Sequence, residues 1–232
     1  MFALSELLCD RPVRTGAMLG SELSQKVPSR QGEKRGFLRP RTAPMSAPSN
    51  EPTPKHSLRW AAKAGAALPP LEASTKTIDP MKCMGKWFVT HVIPNFIEKI
   101  PGVYNETEEY EWDEANKRFL VTLSFAKGSP TAPRTVMKQR GWFYDAVTTG
   151  TEWRVSPIVL GLTLPVKLRY IIIDCADDYS SMTVGYPDRS LLWVMARESN
   201  PPAERLSQML AVPEELGYDM SKVKPVPQEW SA

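Results

Sequence analysis

MGKWFVTHVIP, residues 84–94, sets a glycine two positions before a tryptophan, continues as a short apolar run and is stopped by a proline. A run of this length, bounded in this way, reads as a β-strand. Period-2 alternation puts Trp87, Val89, His91 and Ile93 on one face and Phe88, Thr90 and Val92 on the other. Both faces are largely apolar, so the strand has no wet side. The stretch LLWVMAR at 191–197 behaves alike, with Leu191, Trp193, Met195 and Arg197 opposing Leu192, Val194 and Ala196, as does the second half of KLRYIIID at 167–174.

Outward from these runs the chain shows turn signals every 10 to 15 residues. The expected strands are Gly85 to Ile93, Tyr104 to Trp112, Lys117 to Ala126, Arg134 to Tyr144, Thr151 to Pro157, Lys167 to Asp174, Tyr179 to Gly185 and Leu191 to Arg197. The links between them (IEKIPG, DEAN, KGSPTAP, DAVTTG, VLGLTLP, CADD, YPDRS) carry turn residues and are too short for crossover helices, so neighbours should pair antiparallel. Eight strands with two apolar faces must form a sandwich or close on themselves, and closure also removes exposed edges. The fold class is therefore all-β, a sandwich or an eight-stranded antiparallel up-and-down barrel. A barrel of this size is wide enough to hold one small ligand, or is filled by its own side chains. One C-terminal helix follows: Asn200 is the expected cap, Pro201 or Pro202 opens the first turn, and Leu206, Met209 and Leu210 make an apolar stripe that Pro213 should kink or end early.

Residues 1–78 have a different texture. They hold nine of the 22 prolines, three aromatics (Phe2, Phe37, Trp60), and 12 Lys/Arg against 6 Asp/Glu. Residues 79–232 carry 17 basic and 20 acidic residues, so the positive net charge of the chain belongs to its front. With no apolar period, 1–78 cannot bury enough surface to offset its ordering entropy and reads as a disordered tail. It is an organelle transit peptide or a plain extension, and the six acids leave both open. The acidic body argues against nucleic acid as a partner. No stretch reaches the roughly 18 uninterrupted apolar residues of a membrane span.

Catalytic and metal patterns are sparse. The chain has two histidines, His56 and His91, no C-x-x-C, no G-x-S-x-G, no phosphate-cradling glycine loop and no H-E-x-x-H, so neither a metal site nor a cofactor is implied. His91 on an apolar-flanked strand reads as a core or rim residue.

Four segments in order, MGKWF, DDYSSMTVG, PDRSLLWVMARE and ELGYDMSKVKPVPQ, make residues 79–228 resemble the lipocalin family, in particular its bacterial outer-membrane, plant temperature-induced and apolipoprotein D group. The resemblance implies a calycin-type barrel over 79–232 that binds and carries or scavenges a fatty acid, lysophospholipid, sterol or isoprenoid, with a role in membrane-lipid protection under stress. It implies that Trp87 closes the narrow end and that Arg197 packs across its ring, where cation–π attraction contributes about 0.5 to 2 kcal/mol, with Gly85 allowing close approach. Cavity walls would be Val89, Phe119, Val121, Trp142, Trp153, Val155, Ile171 and Met182. Many members carry an acid two residues after the tryptophan, and Val89 in its place implies a less polar floor. Lys138, Arg140, Lys167 and Arg169 are candidates to meet an anionic head group.

Several readings stay open at this stage. The alternative to carriage is a cavity enzyme of isomerase or de-epoxidase type, with Cys83 as nucleophile or a cavity carboxylate as acid. A third is a filled barrel that binds nothing. Loop 156–167 is a lid, a peripheral membrane contact or a strand extension. Cys83 and Cys175 form a disulfide or remain two buried thiols, with Cys9 apart in the tail. The sequence is compatible with a monomer or a homodimer, and with plastid, mitochondrion, cytosol or a membrane surface as compartment.

Overall fold

The computed structural model describes residues 67–95, 102–144 and 149–230. Eight long strands build the body: β1 (Gly85–Ile93), β2 (Val103–Asp113), β3 (Arg118–Lys127), β4 (Arg134–Phe143), β5 (Glu152–Val159), β7 (Leu168–Cys175), β8 (Ser181–Gly185) and β9 (Leu192–Ala196). Two-residue strands β6 (Leu162–Thr163) and β10 (Lys224–Pro225) are appended to β5 and β1. All eight strands expected from the sequence are present, with ends moved by at most two residues. Every pairing is antiparallel in the order β1-β2-β3-β4-β5-β7-β8-β9, and β9 returns to β1, so the sheet is closed.

Closure depends on a seam. β1 pairs with β2 only over Gly85–Phe88, after which β10 takes the edge of β1 at His91 and Val92. Gln228 Nε2 bridges the splayed strands by donating to the carbonyls of Val89 and Glu106. The Asn105 and Glu229 backbones are cross-linked through the Asn105 side chain, whose Oδ1 accepts from the Glu229 N–H. The C-terminal segment is thus part of the barrel wall.

Strict alternation fails at three register shifts, one of them between Tyr104 and Thr107 where β2 meets β3. The register shifts between Val89 and His91, so Trp87, Val89 and Val92 face inward, while Ile93 joins the outer cluster. The expected grouping of His91 and Ile93 with Trp87 is therefore reversed beyond Val89, because one extra residue moves every later side chain to the opposite face. The third shift lies between Ile172 and Asp174.

Helix α1 (Ala203–Glu215) lies against β7 and β8 on the outside, packing Met209 with Ile171, Ile173, Leu192, Val194 and Ala196. Asn200 does not cap it: the helix opens after Pro202 with no side-chain cap. Pro213 does not stop it either. Its missing N–H deletes one bond near the helix end, its ring is buried, and the helix runs on to Glu215 before Gly217 turns left-handed at φ +84°. The folded body begins earlier than residue 79. Leu71 is 2% exposed under this outer layer and its N–H donates to the Pro187 carbonyl, while the Ile78 N–H donates to that of Thr149. Of the tail expected over 1–78, residues 1–66 lie outside the described residues.

Gly141 is required by packing. A Cβ there would lie 2.1 Å from the Phe119 ring. Gly141→Ala should therefore lower stability by about 1–3 kcal/mol, read as a fall in the urea midpoint with the slope unchanged. An unaltered midpoint would show that the Phe119 ring is free to move aside.

Candidate ligand site in the barrel interior

The floor is built by the first strand and the turn before it. Asp79 caps a short 3-10 turn over Pro80–Cys83, and Gly85 takes φ +91°, a left-handed backbone that favours glycine. Trp87 follows, fully buried, its Nε1 donating to the Cys83 carbonyl at 2.8 Å. The Arg197 guanidinium lies 3.7 Å from the Trp87 ring centroid. It donates to the carbonyls of Lys82, Met84 and Lys86 at 2.8–2.9 Å. The barrel therefore has one plugged end. The opposite end is ringed by the ends of β1, β3, β5 and β8.

Of the wall residues expected from the sequence, Val89, Phe119, Val121, Trp153, Val155 and Met182 are buried in one inward cluster with Tyr110, Tyr170, Ile172, Val184, Trp193 and Met195. Two do not belong to it. Ile171 faces outward beneath α1, because Tyr170 and Ile172 take the inward positions of β7. Trp142 sits between Gly141 and Phe143, which both meet Phe119 inside, so it points out and receives the Lys167 ammonium over its ring at 5.0 Å.

The four cations suggested for an anionic head group also lie outside. Lys138 and Arg140 share the outward parity of Trp142 on β4. Arg169 Nε donates to Glu152 Oε1 at 2.9 Å, beside Arg154 at 2.6 Å on the same carboxylate.

The polar group of the interior is instead an acid. Glu108 is 1% exposed, and both the Tyr110 and Tyr170 hydroxyls donate to its Oε2, the latter at 2.7 Å. Burial holds the Glu108 carboxyl above its ordinary range, against the opposing effect of the two hydroxyls, and burial likewise pushes the Tyr110 hydroxyl well up. The rings around it are in contact: Tyr170 stacks on Trp153 at 5.9 Å and on Trp193 at 6.0 Å, and Tyr110 meets Trp153 edge-on at 5.7 Å. ETEEYEW at 106–112 reads as a solvated acidic strand, which is why Glu108 escapes a sequence reading. The available signal is its parity with Tyr110 and Trp112, whose ring stacks on Phe143.

Cys83 and Cys175 are both buried free thiols in the same cluster. Contact with Cys175 and burial hold the Cys83 thiol protonated. Cys83 lies beside the floor, its carbonyl bonded to the plugging tryptophan, rather than among the interior walls where a nucleophile would be needed. His91 is half-buried, with Nδ1 lacking a hydrogen-bond partner among the described residues. No group of three or more His, Cys, Asp or Glu side chains able to hold a metal ion occurs among the described residues.

A family model described as a lipocalin-like domain matches residues 78–228. Temperature-induced lipocalin-1 of Arabidopsis thaliana is 34% identical over 169 residues, 66% of this chain and 81% of its own. Among solved structures, insecticyanin from the tobacco hornworm Manduca sexta superposes with a TM-score of 0.54 at 16% identity, over 71% of this chain and 87% of its own. The cockroach allergen Per a 4 gives 0.52, also at 16%, over 69% and 95%. At these identities the two structures speak for the fold alone.

Glu108 holds its proton more tightly folded than unfolded, so its contribution to stability is present below the ordinary carboxyl value of 4.5 and is lost as pH rises through the higher folded value. Glu108→Gln removes this titration. The variant should gain melting temperature over the wild-type chain between about pH 4 and pH 8, measured by circular dichroism at matched salt. A difference constant with pH would show that Glu108 titrates normally in the folded chain.

Proposed function

The chain belongs to the lipocalin family, and from that premise we propose that its barrel binds a small hydrophobic or amphiphilic molecule for carriage or scavenging. The family supports ligand binding in a barrel. The observation that carries the reading for this chain is the inward set of Val89, Phe119, Val121, Trp153, Val155 and Met182 above a floor plugged at one end. Such a wall, apolar and aromatic with few polar groups, is what a lipophilic ligand requires. The name of the Arabidopsis relative, a temperature-induced lipocalin, supports a role under temperature stress.

The source of cargo follows from the mouth. Gly150 approaches Ile78 and Pro80 at the floor, so β5 runs from there to the open end, where it turns into β6. The turn is two residues long, between the paired Val159 and Leu162, with Leu160 at φ +50° and Gly161 at φ +79°. A leucine in left-handed backbone costs about 1–2 kcal/mol, and here the side chain is 98% exposed, beside Leu162 at 73% and Val159 at 47%. Neither packing nor backbone preference accounts for that leucine. Insertion into a bilayer interface does, and it would bring the mouth to the lipid.

Two expected outcomes test this reading. Titration with fatty acids, lysophospholipids and retinoids should quench tryptophan fluorescence saturably at one site per chain, weakened by Trp153→Phe and unaffected by Trp142→Phe. No saturation with any of them would sink carriage. Leu160→Asn, whose side chain tolerates the left-handed turn, should reduce sedimentation with phosphatidylcholine vesicles about tenfold, the equivalent of one buried leucine. Equal sedimentation of variant and parent would remove the hairpin from the membrane contact.

A further inference from the structure

The cations that the closed sheet turns outward gather on one face. β4 carries Lys138 and Arg140 on its outer side, β5 carries Arg154, and the chain entering β7 carries Lys167 and Arg169. Across the strands Arg140 stands opposite Ser156 and Arg154 opposite Arg169, while Lys167 reaches back over the Trp142 ring on β4. Nearer the floor, Arg154 and Arg169 are neutralised in part by the shared Glu152 carboxylate. Nearer the mouth, Lys138, Arg140 and Lys167 form no ion pair among the described residues, and Arg140 Nε has no hydrogen-bond partner there. Toward β3 the outer neighbours in register are the uncharged Leu120 and Thr122, and the acids Glu109 and Glu111 stand one strand farther on β2. A body with 17 basic and 20 acidic residues over 79–232 thus collects positive charge beside the β5–β6 hairpin.

Resting on the hairpin contact proposed above, we infer that the face of Lys138, Arg140 and Lys167 docks on an anionic bilayer, its cations pairing with the phosphates of acidic lipids while Leu160 inserts. The spacing fits. At about 3.3 Å per residue, the row through Ser156 lies about 13 Å behind Leu160 along β5. An apolar tip that sinks about 5–10 Å into the headgroup boundary brings this row to the phosphates, and the long Lys and Arg side chains span the remainder. Charge complementarity and the leucine together select the partner. A bilayer of acidic lipids presents many phosphates in a plane over an apolar layer, which matches a row of cations behind an exposed leucine. A single soluble anion would use one of the cations and leave the hairpin in water.

The test is sedimentation of the full chain with vesicles of phosphatidylcholine, alone or mixed with phosphatidylglycerol. At about fivefold per cation, the three should tighten binding to the mixed vesicles about a hundredfold at low salt, and the gain should shrink as added salt shortens the screening length. Lys138→Gln combined with Lys167→Gln alters two exposed side chains. It should remove about twentyfold of the gain and leave both the melting temperature and binding to phosphatidylcholine unchanged. The basic residues before position 79 are common to both chains and cancel in the comparison. Should the double variant not fold, Lys138→Gln alone should lose about fivefold. A parent without preference for the mixed vesicles, or a preference unchanged in the variants, would overturn the role of this face and leave the hairpin contact standing. Displacement by inorganic phosphate at constant ionic strength would overturn the bilayer as the partner. Sedimentation with neither vesicle would overturn the hairpin contact itself and this inference with it.

Discussion

Three pieces of chain meet at the Arg197 guanidinium: the turn at 80–83, the start of β1 and the end of β9. The carbonyls of Lys82, Met84 and Lys86 converge on one planar fork, and the Trp87 ring covers its face. A lysine could not reproduce this, because a single ammonium presents no fork to three acceptors and no plane to the indole. Much else in the molecule is set by this contact. It ties the last strand to the first, identifies the closed end, and so decides which loops surround the mouth. It also fixes the direction in which β5 delivers its exposed leucine.

Most of the fold is legible in the sequence because strand period and turn chemistry are local properties, and here they agree with the tertiary structure. The links carry their own turn residues, and Trp193 and Met195 alternate with Val194 as a strand with two apolar faces should. What is not legible is also physical. A bulge is decided by the partner strand, so nothing in GKWFVTHVI shows that Val92 rather than His91 turns inward. Ile171 and Trp142 face outward against expectation for a related reason: each neighbours an inward residue of equal apolarity, Ile172 or Phe143, and composition cannot choose between them. Pro213 illustrates tertiary override, since burial of its ring outweighs one lost hydrogen bond.

The inner polarity was the least visible property. Lysines and arginines near strand ends suggest a site for an anion, yet the closed sheet sends them to the outside and keeps an acid within. Glu108 is tolerated because two tyrosine hydroxyls substitute for water at one oxygen and because burial keeps the carboxyl inclined to hold its proton. An acidic run therefore conceals one residue with an environment unlike that of its neighbours Glu109 and Glu111, which are exposed.

The seam between β1 and β2 has a consequence in time. Thr90 hydrogen-bonds to Val194, 104 residues later in the chain, and the gap beyond it is filled only by the segment around Gln228. At a synthesis rate of about 5–20 residues per second, the first strand leaves the ribosome some 5 to 20 seconds before its partner exists. During that interval an apolar ribbon with its β9 edge bare must be kept from other chains. The barrel cannot shut until the segment around Gln228 has emerged, so the seam beside the first strand is the last part of the wall to close.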